Sequence, residues 1–155
     1  MKKKVLITGG LGYLGGRLAT CLNENKNISI RLSARNRTKA VPKWTQGLEI
    51  IKFDFEESDN HKALCENIDV IIHLAALNAK DSLSSPKRAR AINVDGTEKL
   101  VRAAVRAGVA RFIYISTTHV YGTKLHGRID ETQEPKPSNP YAETHFHAER
   151  IVAKE

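Results

Sequence analysis

The sequence predicts an α/β fold built on a doubly wound parallel sheet, and three observations lead there. A short apolar run, Val5-Leu6-Ile7, breaks at Thr8-Gly9-Gly10 into an amphipathic segment with Leu14, Leu18, Cys21 and Leu22 on one helical face. Apolar runs and helix-like stretches then alternate along the chain without hairpin turns, as right-handed βαβ crossovers require. One run, Val70-Ile71-Ile72-His73-Leu74, is apolar at nearly every position, which fits a parallel strand covered on both faces.

The opening strand, turn and helix carry the strongest chemical signal. Gly10, Gly12 and Gly15 form GxGxxG, and Gly9, Gly12 and Gly15 form an overlapping GxxGxxG. Glycine is needed where the turn adopts angles a Cβ forbids, where the main chain approaches a pyrophosphate, and where helix meets strand closely. The phosphates would rest on the open N–H groups of the helix that begins near Gly12. The plainer reading is a turn that only packs a βα unit, and its place between strand and helix argues against that.

Further along, Ile28-Ser29-Ile30-Arg31-Leu32 alternates as a second strand. Its end, Ser33-Ala34-Arg35-Asn36-Arg37, lacks the carboxylate that would take the adenosine ribose hydroxyls. Arg35 and Arg37 are suited to a 2′-phosphate, so NADP is favoured over NAD. Residues 38–47, with Pro42 and Trp44, read as a short or irregular helix. A third strand from Leu48 to Phe53 ends at Asp54, which faces the ligand crevice as a candidate partner for the adenine amino group or else caps the next turn.

Ser58 or Asp59 is the expected cap of a helix reaching about Asn67. The fourth strand, Asp69 to Leu74, runs into Ala75-Ala76, small residues that leave room for a cofactor ring or ribose or else serve to pack helices. Ser85-Pro86 opens a long helix in which Asn93 stands beside the core face. The stretch from Ala110 to Ser116 is the fifth strand, and Pro140 starts a final helix over Tyr141–Lys154.

With 155 residues the chain has the size of one domain, read as spanning 1–155. Its 25 Lys and Arg against 17 Asp and Glu give a net charge of +8. The basic residues are scattered with few aromatics among them, which argues for a solvated surface favouring anionic ligands over a nucleic-acid partner. Cys21 and Cys65 lack metal-ligand spacing and read as core or half-buried thiols of a reducing, cytoplasmic setting. His119, His126 and His147 have no carboxylate or Cys at ligand spacing, so no metal is expected. The apolar run after Lys2-Lys3-Lys4 stops at Thr8, too short for an export signal, and no stretch is long enough to span a bilayer.

Several separated motifs stand in one order: TGGLGYLGG, HLAA at His73–Ala76, INVDGT at Ile92–Thr97, Ser116-Thr117-Thr118-His119-Val120-Tyr121-Gly122, and Pro140-Tyr141-Ala142-Glu143-Thr144-His145. With them the whole chain resembles the extended short-chain dehydrogenase/reductases, the NAD-dependent epimerase/dehydratase family. The resemblance implies a three-layer Rossmann-like sheet and hydride transfer at a substrate hydroxyl or keto carbon. As substrate it suggests, by analogy, a nucleotide sugar or related compound. It implies that Thr117 hydrogen-bonds the reacting hydroxyl and that Tyr141 is the general base or acid. It also places Tyr13, Leu14, Phe55 and Asn93 beside the glycines, Arg35, Arg37, Asp54 and the Leu74–Ala76 segment as cofactor contacts, joined by Tyr141 and His145.

At His145 the family carries a lysine, which holds the nicotinamide ribose and lowers the tyrosine's pKa. A free phenol has a pKa near 10 and is a poor base at neutral pH without a neighbouring positive charge, which histidine supplies only in part. His145 acts as a shorter ribose ligand with weaker activation, or another cation suffices, or the domain binds cofactor without efficient turnover. The first reading is preferred; a cofactor-binding sensor without catalysis is the alternative. Members of the family are about twice this long, so the chain is expected to lack the substrate-binding part and to be a fragment, or to pair with a partner or second copy covering an exposed sheet edge.

Overall fold

The computed structural model describes residues 2–35 and 42–155. Its strands are β1 (Lys3–Thr8), β2 (Ile28–Ala34), β3 (Glu49–Lys52), β4 (Val70–His73) and β5 (Arg111–Tyr114). They form one parallel sheet in the order β3-β2-β1-β4-β5. In register, Val5 of β1 lies between Ile30 of β2 and Val70 of β4. The chain therefore winds outward from β1 to β3, then returns to the other side of β1 for β4 and β5. That reversal opens a crevice beyond the carboxyl ends of β1 and β4, where ligands of open α/β sheets bind.

The helices are α1 (Tyr13–Asn23), α2 (His61–Cys65), α3 (Ala79–Ser84), α4 (Pro86–Ala89), α5 (Gly96–Arg106) and α6 (Pro140–Val152). Alternate strand residues point to opposite faces. Val5, Ile7, Ile30 and Leu32 pack with Ala19 of α1 and with Trp44 on one face. On the other, Leu6, Phe53 and Ile71 meet Leu64 and Cys65 of α2 and Leu100, Ala103 and Ala104 of α5. The result is three layers, as expected. Among the described residues no helix is long and apolar enough to cross a membrane.

Several local expectations are corrected. The cap of α2 is Asn60, whose side chain accepts from Ala63 N; Ser58 instead receives Asp54 N, and Asp59 pairs with Lys99. The long helix after Ser85 is divided: α4 passes into a π-helical turn, Arg90–Asp95, before α5. Cys21 is exposed rather than part of the core, whereas Cys65 is buried; both are free thiols. Leu14, placed by periodicity on the packed face of α1, is 53 % exposed.

Arg31 departs furthest from a solvated surface charge. It sits in β2 between Ile30 and Leu32 and is buried. Its guanidinium donates to the Leu64 and Glu66 carbonyls at 3.1 and 2.9 Å and to Glu49 at 2.9 Å. These bonds satisfy carbonyls that the end of α2 leaves open. Burial alone would raise the Glu49 carboxyl, but hydrogen bonds and charges from Arg31 and Lys4 outweigh it and hold it below its ordinary value.

Candidate functional site: a nucleotide cleft at the switch point

The glycine turn has the shape its motif requires. Gly9 has φ +64°, and a Cβ there would lie 3.1 Å from the backbone N of Ala75. At Gly15 a Cβ would meet the carbonyl oxygen of Gly9 at 2.5 Å and Cα of Gly10 at 2.9 Å. Both contacts are with backbone, which cannot swing aside. Among the described residues no side chain caps the start of α1 at Gly12, which leaves its first-turn N–H groups open to an anion.

A buried hydrogen-bond chain fixes this turn against β4. Thr8 Oγ1 accepts from the N–H groups of Leu74 and Ala75 at 3.0 and 3.1 Å, so its own proton goes to His73 Nδ1 at 2.6 Å. His73 then carries its proton on Nε2 and donates to Thr97 Oγ1 at 2.9 Å, and Thr97 donates to the Asn93 carbonyl at 2.7 Å. Every atom of the chain has a partner when the imidazole is neutral. Burial, with the neighbouring imidazoles of His145 and His61, pushes its pKa down to about 3. Asn93 extends the network: its Oδ1 accepts from Leu77 N at 2.6 Å, and its Nδ2 donates to Thr144 Oγ1 of α6 at 3.0 Å. The opening turn, the loop after β4, the π-helical turn and α6 are thus tied together.

Two adjoining hollows occupy the crevice and share Gly9, Gly12, Leu74 and Ala76. The larger, about 440 Å³, lies over the ends of β2 and β3 and is lined also by Ser33, Arg35, Asp54, Phe55 and Ala75. The smaller, about 250 Å³, is walled by Tyr13, Leu14, Gly15, Ser116, Tyr141 and His145. Asp54 Oδ1 also accepts from Glu56 N at 2.9 Å, so it closes a turn while facing the hollow. Neither Thr117 nor Asn93 lines these hollows. Thr117 accepts from His119 N at 3.3 Å, and the Asn93 amide is held within the protein as described. Arg37 lies outside the described residues.

At the smaller end, the rings of Tyr141 and His145 stand edge to face, centroids 4.5 Å apart, and the His119 ring lies 5.9 Å from that of Tyr141. His145 is 3 % exposed, and burial pushes its pKa down to about 4. It is therefore neutral at physiological pH and supplies no permanent positive charge to Tyr141. Its Nδ1 lies 2.8 Å from the hydroxyl of Tyr114, the last residue of β5.

Among the described residues, three that line the hollows carry a buried polar atom without a hydrogen-bond partner: Ser33 Oγ, Ser116 Oγ and His145 Nε2. Each such group costs about 1–3 kcal/mol unless something pairs with it. A nicotinamide dinucleotide fits this arrangement, with hydroxyl-rich sugars at both ends and a diphosphate between them. Sequence reading missed Ser33, Ser116 and Tyr114, since a strand-end serine or tyrosine has no distinguishing pattern. The signal available was the two-residue alternation, which puts Tyr114 and Ser116 on the same side of the chain.

Comparison with known proteins agrees with this geometry. The family model for the NAD dependent epimerase/dehydratase family matches residues 5–154. The chain belongs to that family. The dTDP-D-glucose 4,6-dehydratase of Mus musculus is 35% identical over 162 residues, covering 97% of this chain and 45% of its own. The 3 beta-hydroxysteroid dehydrogenase/Delta 5-->4-isomerase of Mycobacterium tuberculosis (strain ATCC 25618 / H37Rv) is 34% identical, covering 96% of this chain and 42% of its own. Among solved structures, MoeE5 in complex with UDP-glucose and NAD superposes with a TM-score of 0.85 at 31% identity, over 97% of this chain and 48% of that one. The chain spans about half the length of these relatives.

Proposed function

We propose that this chain is the nicotinamide-nucleotide-binding part of an oxidoreductase, epimerase or dehydratase of the extended short-chain type, acting at a hydroxyl or keto carbon of a nucleotide sugar or related compound. The observation that carries the reading is the pair of adjoining hollows that share the glycine turn, one lined by Ser33, Arg35 and Asp54 and the other by Ser116, Tyr141 and His145. The sugar substrate is supported by the relatives, among them a dTDP-glucose dehydratase and a structure holding UDP-glucose. A cytoplasmic setting goes with it, supported by the two free thiols.

Gly9, Gly12 and the open start of α1 would hold the diphosphate, the Ser33–Asp54 hollow the adenosine, and the Tyr141 end the nicotinamide ribose. When bound, the nicotinamide supplies the hydride acceptor and donor. Tyr141 exchanges a proton with the substrate hydroxyl. A hydroxyl from the Ser116-Thr117 pair donates to the same oxygen and stabilises its developing charge. The loop after β4, fixed by Thr8 and His73, keeps the cleft from collapsing onto its small side chains.

NADP is favoured over NAD on the strength of Arg35 at the rim and an unpaired Ser33 hydroxyl where a carboxylate would repel a 2′-phosphate. Calorimetric titration tests both parts. NADPH should bind about tenfold more tightly than NADH, and Arg35→Glu should weaken NADPH by about tenfold or more while sparing NADH. Equal affinities, untouched by the substitution, would contradict the NADP preference; no binding of either would contradict the function. The neutral state of His145 favours one second reading, a cofactor-binding sensor without efficient turnover.

A further inference from the structure

The hydrogen bond between Tyr114 and His145 leaves two arrangements of protons to compare. If His145 carried its proton on Nδ1, that proton would point at the Tyr114 oxygen. The Tyr114 hydroxyl proton would then have no acceptor among the described residues, and Nε2 would be a buried acceptor without a donor. If Tyr114 donates to Nδ1 instead, a single group remains unpaired, the Nε2–H. The second arrangement strands fewer buried polar groups and is the stable one. Burial also raises the Tyr114 phenol, aided by the nearby Glu149 and Tyr141, so it keeps its proton and serves as donor.

His145 lines the smaller hollow with Tyr141 and Ser116, and among the described residues neither its buried Nε2–H nor the Ser116 hydroxyl has a partner. A buried, unpaired donor on a residue that lines the hollow calls for a ligand oxygen that accepts without carrying full charge. We propose that Tyr114 fixes His145 as the Nε2–H tautomer, so that His145 meets the nicotinamide ribose as a neutral hydrogen-bond donor, with Tyr114 its positioning residue. The ribose half rests on the functional reading above; the tautomer half does not. In this account a lysine would make the same contact with an ammonium needing no orienting partner, and β5 supplies the tyrosine that an imidazole with two unlike nitrogens requires.

Nitrogen-15 NMR of histidine-labelled protein at neutral pH, free and with NADPH, tests the tautomer directly. The free wild type should give the Nε2–H signature for His145. Tyr114→Phe, which removes one oxygen, should give mixed tautomers and bind NADPH about fivefold more weakly. Adding His145→Lys to Tyr114→Phe should restore that affinity, which a merely structural loss would not allow. An Nδ1–H wild type, or a Tyr114→Phe protein with unchanged tautomer and affinity, overturns the proposal. A wild type with the Nε2–H tautomer that binds neither NADPH nor NADH overturns the functional reading instead and takes the ribose half with it.

Discussion

Gly15→Ala is expected to abolish nucleotide binding and to destabilise the fold by about 2–3 kcal/mol. The new Cβ would lie 2.5 Å from the Gly9 carbonyl oxygen and 2.9 Å from Cα of Gly10, so the turn itself must move. It has little room to do so. Gly9 already sits at φ +64° against the backbone of Ala75, and its carbonyl accepts from Gly12 N at 2.9 Å. Displacing that carbonyl tilts the start of α1, where the diphosphate would rest. Gly108→Ala is the matching control: φ is +70° with nothing within 4 Å of the added carbon, so it should cost about 1 kcal/mol of backbone strain and leave binding intact. Calorimetry with NADPH and urea denaturation of both variants measure the contrast. A Gly15→Ala protein with wild-type affinity would show that the turn is not where the nucleotide binds.

Acid is expected to unfold the protein well before general carboxylate protonation would. His73 has an ordinary pKa of 6.5 and is held at about 3 in the fold. Below about pH 6.5 the unfolded chain takes up a proton that the folded chain refuses, so stability is complete above that value and lost as pH falls toward the folded pKa. His73 alone removes about 3 kcal/mol by about pH 4, and on the order of 5 kcal/mol at the limit. His145, held at about 4 by burial, and His61, lowered chiefly by burial, act in the same direction. Against a total of about 5–15 kcal/mol for a domain, this is a large share. Urea midpoints measured across that range should fall steadily with pH, and His73→Gln should flatten the fall while lowering stability at neutral pH. A midpoint constant from neutrality to about pH 4 would contradict the buried neutral chain from Thr8 to Thr97.

How much of this was legible beforehand depends on the range of the interaction involved. The βα unit around Gly9, Gly12 and Gly15 was readable because its geometry is set by consecutive residues. The apolar run at β4 announced a strand covered on both faces for the same reason. Arg31 could not be read as buried, since the carbonyls it binds belong to α2, far along the chain. Asn93 lies in a π-helical turn with no sequence signal, and its partners are Leu77 and Thr144. The histidine at 145 was visible as a departure from lysine. Its neutral state was not, because that follows from burial, and the tautomer from Tyr114 on another element. Ser33 and Ser116 are informative only because nothing among the described residues pairs with their hydroxyls.

The central claim is that the crevice between β1 and β4 seats a dinucleotide. A crystal structure with NADPH or NADH bound tests it most directly. The account predicts the diphosphate against the Gly12 end of α1, the adenosine beside Ser33 and Asp54, and the nicotinamide ribose within reach of Tyr141 and His145 Nε2. A glycine turn closed by its own side chains, or a nucleotide lodged elsewhere on the molecule, would contradict it.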